Sequence, residues 1–271
     1  MYAVRQLIVT TIALAALVSL PLSAQRQSRR PPSPSPAVPQ PARVERPVPF
    51  AVGETLAYDV SWSTYLTAGT ALMKVNEKKA SYNSTAYYIV AEGRPTPLVA
   101  KLYTLYYKLD TLLDVYTLLP QRGSIYSEEG SRHRFRTTVF DRAAKKASFE
   151  YRTTSTVKAE FEVPPFVQDA LSAVYVLRAI PFKAGDRITL PVSDDGSNYQ
   201  VRVEVSGPER VKTPFAETGA WKLRLTITDS KNQQVGKNLS IWLSDDERRR
   251  PMKLEAELAV GSFVLSLRDA R

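Results

Sequence analysis

Polar and apolar residues alternate with a period of two along most of the chain beyond residue 50. Leu56, Tyr58, Val60 and Trp62 alternate with Ala57, Asp59, Ser61 and Ser63. Tyr199, Val201, Val203 and Val205 alternate with Gln200, Arg202, Glu204 and Ser206. The same holds for Trp221, Leu223, Leu225 and Ile227, for Met252, Leu254, Ala256 and Leu258, and for Phe263, Leu265 and Leu267. Successive side chains of a strand point to opposite faces, so this spacing puts the apolar set on one side. Weaker alternation predicts strands near 68–78, 85–93, 108–113, 121–127, 132–140, 146–152, 186–193 and 238–244. One apolar and one wet face per strand indicates an antiparallel sheet. The turn residues agree: Asp194-Asp195-Gly196-Ser197 predicts a hairpin, Gly261 links the last two strands, and residues 127–130 link the pair before an arginine-rich segment.

Two stretches break the pattern. Residues 169–180 (DALSAVYVLRAI) predict a helix with Asp169 as N-cap and Pro181 as its stop. Leu171, Val174, Tyr175, Leu177 and Ile180 cover most of its circumference, which predicts burial against the sheet. Residues 98–107 (LVAKLYTLYY) fit a helix or a strand equally. The expected fold class is all-β, mainly antiparallel: a strongly curved sheet or two-layer half-barrel with one buried helix near 169–180.

The first 49 residues give an address. Arg5 precedes an apolar run over 7–20, then Pro21 and the small-residue end Leu22-Ser23-Ala24. That is the layout of a cleaved secretory signal over 1–24, leaving a soluble periplasmic protein. Arg26, Arg29 and Arg30 follow the apolar run and work against export. They keep an uncleaved inner-membrane anchor as the alternative. Residues 25–49 carry eight prolines and predict an extended, disordered linker. Residues 50–271 are expected to form a single β-rich domain. Membrane contact is expected only through an uncleaved signal or the basic tail.

Composition narrows the chemistry. The chain has no cysteine and one histidine, His133. This excludes disulfides, thiolate zinc sites, a thiol nucleophile and any multi-histidine metal site. No phosphate-binding glycine loop, calcium loop or nucleophile elbow is present, so no cofactor, no metal and no catalytic residue is expected, and the protein is read as a non-enzyme. The net charge of +10 is concentrated. Residues 1–48 carry six Arg against one Glu, and 122–158 carry nine Lys or Arg against four Asp or Glu, while the remainder balances.

Four motifs carry a family resemblance. They are residues 50–54 (FAVGE) with 58–62 (YDVSW); Ala68-Gly69-Thr70-Ala71; residues 169–175 (DALSAVY) with Arg178; and residues 241–246 (IWLSDD) with Arg249 and Pro251. In this order they resemble the bacterial envelope family catalogued as domain of unknown function 3108, over about 50–268. The resemblance implies an exported, single-domain, mostly antiparallel β protein. It implies no activity and supplies no site residues.

Candidate binding residues come from the chemistry alone. Arg132, Arg134 and Arg136 share one face of a predicted strand, while His133, Phe135 and Val139 share the other. Such a row of guanidinium groups suits multivalent phosphate or carboxylate; it also suits a solvated outer face or an edge protected against association. Nucleic acid is excluded as a partner by compartment. Arg178 sits on an otherwise apolar helix and needs a partner or solvent. Trp242, Asp245 and Asp246 lead into Arg248-Arg249-Arg250, a charged turn in which either Asp reads as a fixer of Arg178 or as part of a pocket mouth. His133 is a weak general-base candidate without an evident partner.

The expected function is binding of an amphipathic or anionic envelope component: a lipid, lipopolysaccharide or cell-wall polymer. The alternatives are an interaction module docking on an envelope protein partner, and an unrecognised cell-wall hydrolase.

Overall fold

The computed structural model describes residues 43–62, 66–258 and 261–271. The expected signal and most of the proline-rich stretch lie outside the described residues. The elements in chain order are β1 (Thr55–Trp62), β2 (Leu66–Ser81), β3 (Ser84–Pro95), α1 (Pro97–Ala100), β4 (Leu105–Asp114), β5 (Pro120–Glu129), β6 (Arg132–Asp141), β7 (Lys146–Arg152), β8 (Thr156–Glu162), α2 (Ala170–Ala179), β9 (Arg187–Asp194), β10 (Ser197–Lys212), β11 (Glu217–Thr228), β12 (Gln234–Ser244), β13 (Pro251–Leu258) and β14 (Gly261–Ala270).

All fourteen strands form one antiparallel sheet, ordered β8-β7-β6-β5-β4-β3-β2-β1-β14-β13-β12-β11-β10-β9. Each strand lies beside its chain neighbour, with two exceptions. β1 pairs with β14, joining the first and last strands. After β8 the chain forms α2 and re-enters the sheet at its opposite edge, β9.

Twist accumulated over so many strands rolls the sheet until its edges meet without closing. Asn198 Nδ2 donates to the Glu162 carbonyl at 2.8 Å, and a single parallel bridge joins Gln168 to Val192. The β9–β10 turn tucks onto the inner face of β7: a Cβ on Gly196 would lie 3.0 Å from the Phe149 ring. That turn has positive φ at Asp195 (49°) and Gly196 (72°), the two-residue hairpin geometry that Asp-Gly favours.

Helix α2 lies inside the roll. Asp169 caps it as the sequence indicates, its carboxylate accepting the Ser172 N–H at 2.8 Å. Burial extends around most of the helix because sheet faces it on more than one side. Tyr175 joins a cluster with Phe50, Tyr58, Ile89 and Leu113, and its ring meets that of Phe50 edge-on at 4.9 Å. Ala173 and Leu177 join a second cluster with Val192, Val203 and Leu223. The helix therefore couples the β1–β4 side of the core to the β9–β12 side. Each fully buried Leu, Val or Ile contributes about 1.5–3 kcal/mol through lost water contact.

Three features differ from the sequence reading. Residues 98–107 divide: 98–100 lie in the single turn α1, 101–104 form a loop, and 105–107 open β4. Strand β8 had no predicted counterpart, although Val157, Ala159 and Phe161 alternate with Lys158, Glu160 and Glu162; it is a short, exposed edge. Residues 43–49, read as linker, lie against the sheet: Arg46 N donates to the Val115 carbonyl at 2.9 Å and Val48 packs on the core.

Candidate functional site

The inner face of the roll is buried at one end and half-exposed at the other. Near α2, inner residues such as Tyr58, Ile89, Leu113, Val203, Leu223 and Leu267 are buried. Further along the same strands, Val60, Ala91, Leu109, Leu225 and Leu265 are only half-buried. We take the space bordered by these half-buried apolar residues, beyond α2 and the core, as the candidate chamber.

β6 supplies the charge. Directly opposed residues of paired strands share a face. Arg132, Arg134 and Arg136 oppose Glu129, Ser127 and Ile125 of β5, and Arg136 also opposes Tyr151 of β7. Thr138 and Phe140, two and four residues on from Arg136, are buried. The row therefore faces the chamber. β6 is flanked by β5 and β7, so neither a solvated outer face nor a protected edge describes it. Exposure falls from the mouth inward: Arg132 is exposed, while the side chains of Arg134 and Arg136 are 28% and 19% exposed.

The partners of the row differ with depth. Arg134 Nη1 lies 3.0 Å from Glu129 Oε2, and Tyr107 Oη donates to the other oxygen of that carboxylate. Burial, with this bond second, pushes the Tyr107 phenol up to about 12. Arg136 lies 3.3 Å from Asp195 on the β9–β10 turn, spanning the seam. Arg132 has no ion pair among the described residues. The row thus keeps its most available positive charge at the mouth.

A polar cluster sits at the floor beneath Arg136. Asp169 Oδ2 accepts from Thr111 Oγ1 at 2.5 Å, and the backbone of Gly123 lies alongside; a Cβ there would be 3.0 Å from Asp169 Cβ. Burial raises the Asp169 carboxyl to about 6. Asp194 is also raised, by burial, with the Arg136 charge opposing. A cavity of about 20 Å³ lies among Gly123, Arg136, Asp169, Ser193 and Asp194, room for one water molecule. Ser193 Oγ and Arg136 Nε are buried beside it without a protein partner. Among the described residues no carboxylate or histidine cluster has the geometry to hold a metal ion.

The remaining candidates lie elsewhere. Arg178 is paired, but with Glu54 and not with Asp245 or Asp246. The contact is bidentate, 2.7 and 2.8 Å, with the two side chains 0% and 4% exposed. Asp245 instead accepts from Trp221 Nε1 at 2.6 Å. Asp246 takes the backbone N–H groups of Arg248 and Arg249, both at 2.9 Å, and so folds the 246–250 turn. That turn presents the Arg248 and Arg249 carbonyls to Arg178. Trp242 is buried, its indole N–H on Glu209 and its ring close to the Lys222 and Lys253 ammonium groups. These four residues are therefore held in contacts of their own and do not join the arginine row. His133 points outward from β6 and contacts the Tyr126 hydroxyl at 3.1 Å. The sequence reading missed Tyr107, Glu129, Asp169 and Asp195 as neighbours of the arginine row. Only Glu129 had a local signal, since a hairpin turn brings it opposite Arg132.

Comparisons with known proteins add the following. The model of a protein family of unknown function, DUF3108, matches residues 57–268. Among solved structures, the chain is similar to a β-barrel-like protein of the domain of unknown function DUF1849 from Brucella abortus. The TM-score is 0.50 and the identity 10%, over 81% of this chain and 97% of that one. A protein with a YmcC-like fold from Bacteroides fragilis matches at TM-score 0.35 and 10% identity, over 84% of this chain and 100% of that one, too distant to carry an argument. The first likeness concerns the rolled β architecture and nothing further. No curated protein matches the sequence.

Proposed function

Because the chain belongs to the DUF3108 family of proteins of unknown function, we propose a role read from the chamber itself: non-catalytic binding of an anionic amphiphile of the bacterial envelope. The apolar part of the ligand lies along Leu109, Ile125, Leu225 and Leu265, and its phosphate or carboxylate head meets Arg132 and Arg134. One observation carries the reading: the arginine row faces the half-exposed apolar interior and not the outer surface. A guanidinium in a partly desolvated site holds an anionic oxygen far better than one in bulk water. The export layout of residues 1–24 supports an envelope location, either periplasmic or anchored by an uncleaved signal.

The test uses monomeric NBD-labelled lysophosphatidylglycerol as probe, with the phosphocholine analogue as control. Arg132→Glu with Arg134→Gln is expected to weaken binding of the anionic probe at least tenfold. It should leave the melting temperature within a few degrees, since both side chains reach solvent. Equal affinity of the variant and the parent, or of the two probes, sinks the reading. The exposed edge of β8 favours a second reading, strand addition by an envelope protein. Crosslinking confined to residues 156–162 would support it.

A further inference from the structure

We propose that the loop between β3 and β4 docks the chamber mouth onto an anionic lipid bilayer; the proposal rests on the carrier reading above and names where the ligand enters. The loop places three large apolar side chains in water: Leu98 is 68% exposed, Leu102 84% and Tyr103 51%. Exposed singly, such residues need no explanation, but three within six positions on one loop form a patch. Residues 96–104 contain one charged side chain, Lys101, and no carboxylate. Leucines that enter the acyl boundary, a tyrosine ring at head-group depth and a lysine that snorkels back to the phosphates are the chemistry of an interfacial segment.

The loop is held in place on both flanks. Thr96 N donates to the Ala68 carbonyl at 2.8 Å, and Gly130 N to the Thr104 carbonyl at 2.9 Å. Thr96 Oγ1 caps α1 by accepting from Val99 N, and Tyr103 N closes back on the Val99 carbonyl at 3.0 Å. The Tyr103 ring lies against Gly130, where a Cβ would be 3.5 Å from it. The apolar side chains are thus displayed on a bonded frame while their backbone is satisfied.

Position selects the occupant. Gly130 belongs to the β5–β6 turn, and Arg132 begins the strand that leaves it. The patch therefore adjoins the exposed end of the arginine row. Lys101 and Arg132 together offer two cations without carboxylate partners among the described residues. A bilayer rich in anionic head groups satisfies the apolar loop and both cations at once. An anionic lipid leaving that surface meets Arg132, Arg134 and Arg136 in order on its way into the chamber.

The absence of cysteine makes the test direct, because Leu102→Cys introduces the sole thiol. The chain secreted by a bacterial host is labelled there with NBD and mixed with vesicles of phosphatidylglycerol and phosphatidylcholine, 1:1. The probe at 102 is expected to brighten and shift to the blue, while a probe at Lys183→Cys, at the buried end of the roll, stays unchanged. Leu98→Ser with Leu102→Ser should reduce flotation with these vesicles at least tenfold. The basic tail is present in both chains, so the difference reports the loop. An unchanged emission at 102 overturns the proposal and leaves the patch to a protein partner. Equal binding to pure phosphatidylcholine overturns the role of Lys101 and Arg132. Uptake of monomeric NBD-lysophosphatidylglycerol is measured alongside. Uptake without an emission change refutes docking alone, and an emission change without uptake refutes the carrier reading alone.

Discussion

Replacing Glu54 with Gln removes the charge that holds α2 in the roll. Glu54 and Arg178 meet through two parallel hydrogen bonds of 2.7 and 2.8 Å, and neither side chain reaches solvent appreciably. Two further Arg178 N–H groups go to the Arg248 and Arg249 carbonyls, both at 3.1 Å. The guanidinium lies 5.3 Å from the Phe50 ring and 5.1 Å from that of Tyr175. Gln keeps the volume and one acceptor, but it points an amide N–H₂ at a guanidinium donor and leaves a buried cation uncompensated. Breaking one side of a buried ion pair costs about 3–5 kcal/mol. A domain of this length loses about 2–4 °C of melting temperature per kcal/mol, so the expected drop is roughly 6–20 °C. The double replacement Glu54→Leu with Arg178→Met removes both charges. It should recover most of the loss, because desolvation of a buried pair nearly offsets its attraction. Urea unfolding followed by far-UV circular dichroism at pH 7 measures the parent and Glu54→Gln, and the single variants Glu54→Leu and Arg178→Met with their double give the coupling. A loss below about 1 kcal/mol for Glu54→Gln, or a double variant as unstable as the sum of the singles, would refute the reasoning.

Two further outcomes follow from the floor of the chamber. Burial holds the Asp169 carboxyl at about 6 against a usual value of 3.8. The folded state therefore keeps a proton that the unfolded state has released, and this group's contribution to stability falls as pH rises through that window. Relative to Asp169→Asn, the parent should lose about 2–3 kcal/mol between pH 4 and pH 7 in urea midpoints converted to free energy, at about 1.4 kcal/mol per pH unit; a difference flat across this range would contradict it. Gly123→Ala places a methyl 3.0–3.2 Å from three Asp169 atoms and should cost about 1–3 kcal/mol by overpacking, read as a lower melting temperature. An unchanged melting temperature would mean that the helix start shifts freely.

The strands and α2 are legible in the sequence because their signals are local. Period-two alternation needs only neighbouring residues, and Asp169 with Ser172 forms a complete capping box. Strand β8 carries the same alternation, Val157, Ala159 and Phe161 against Lys158, Glu160 and Glu162, over only seven residues at an exposed edge, and has no counterpart among the predicted strands. The pairing of β1 with β14 has no local signal at all, since it joins residues some two hundred positions apart. The same reason hides Glu54 as the partner of Arg178. Spacing places Arg132, Arg134 and Arg136 on one face, yet both parities of that strand carry apolar residues, Phe140 on one and Phe135 and Val139 on the other. Which parity faces inward is decided by α2, which fills the interior from elsewhere in the chain. The apolar loop at the mouth read as a helix or a strand for a related reason. Its leucines and tyrosines look like core until the fold leaves them without one.

The central claim is that the chamber holds an anionic amphiphile, and native mass spectrometry of the protein exported by a bacterial host tests it most directly. Spectra taken before and after lipid extraction should differ by a discrete mass that is recovered in the organic phase as an anionic amphiphile. Arg132→Glu with Arg134→Gln should lose that mass while remaining folded. A clean unliganded mass in both spectra, or an extracted molecule retained equally by the variant, would contradict the account.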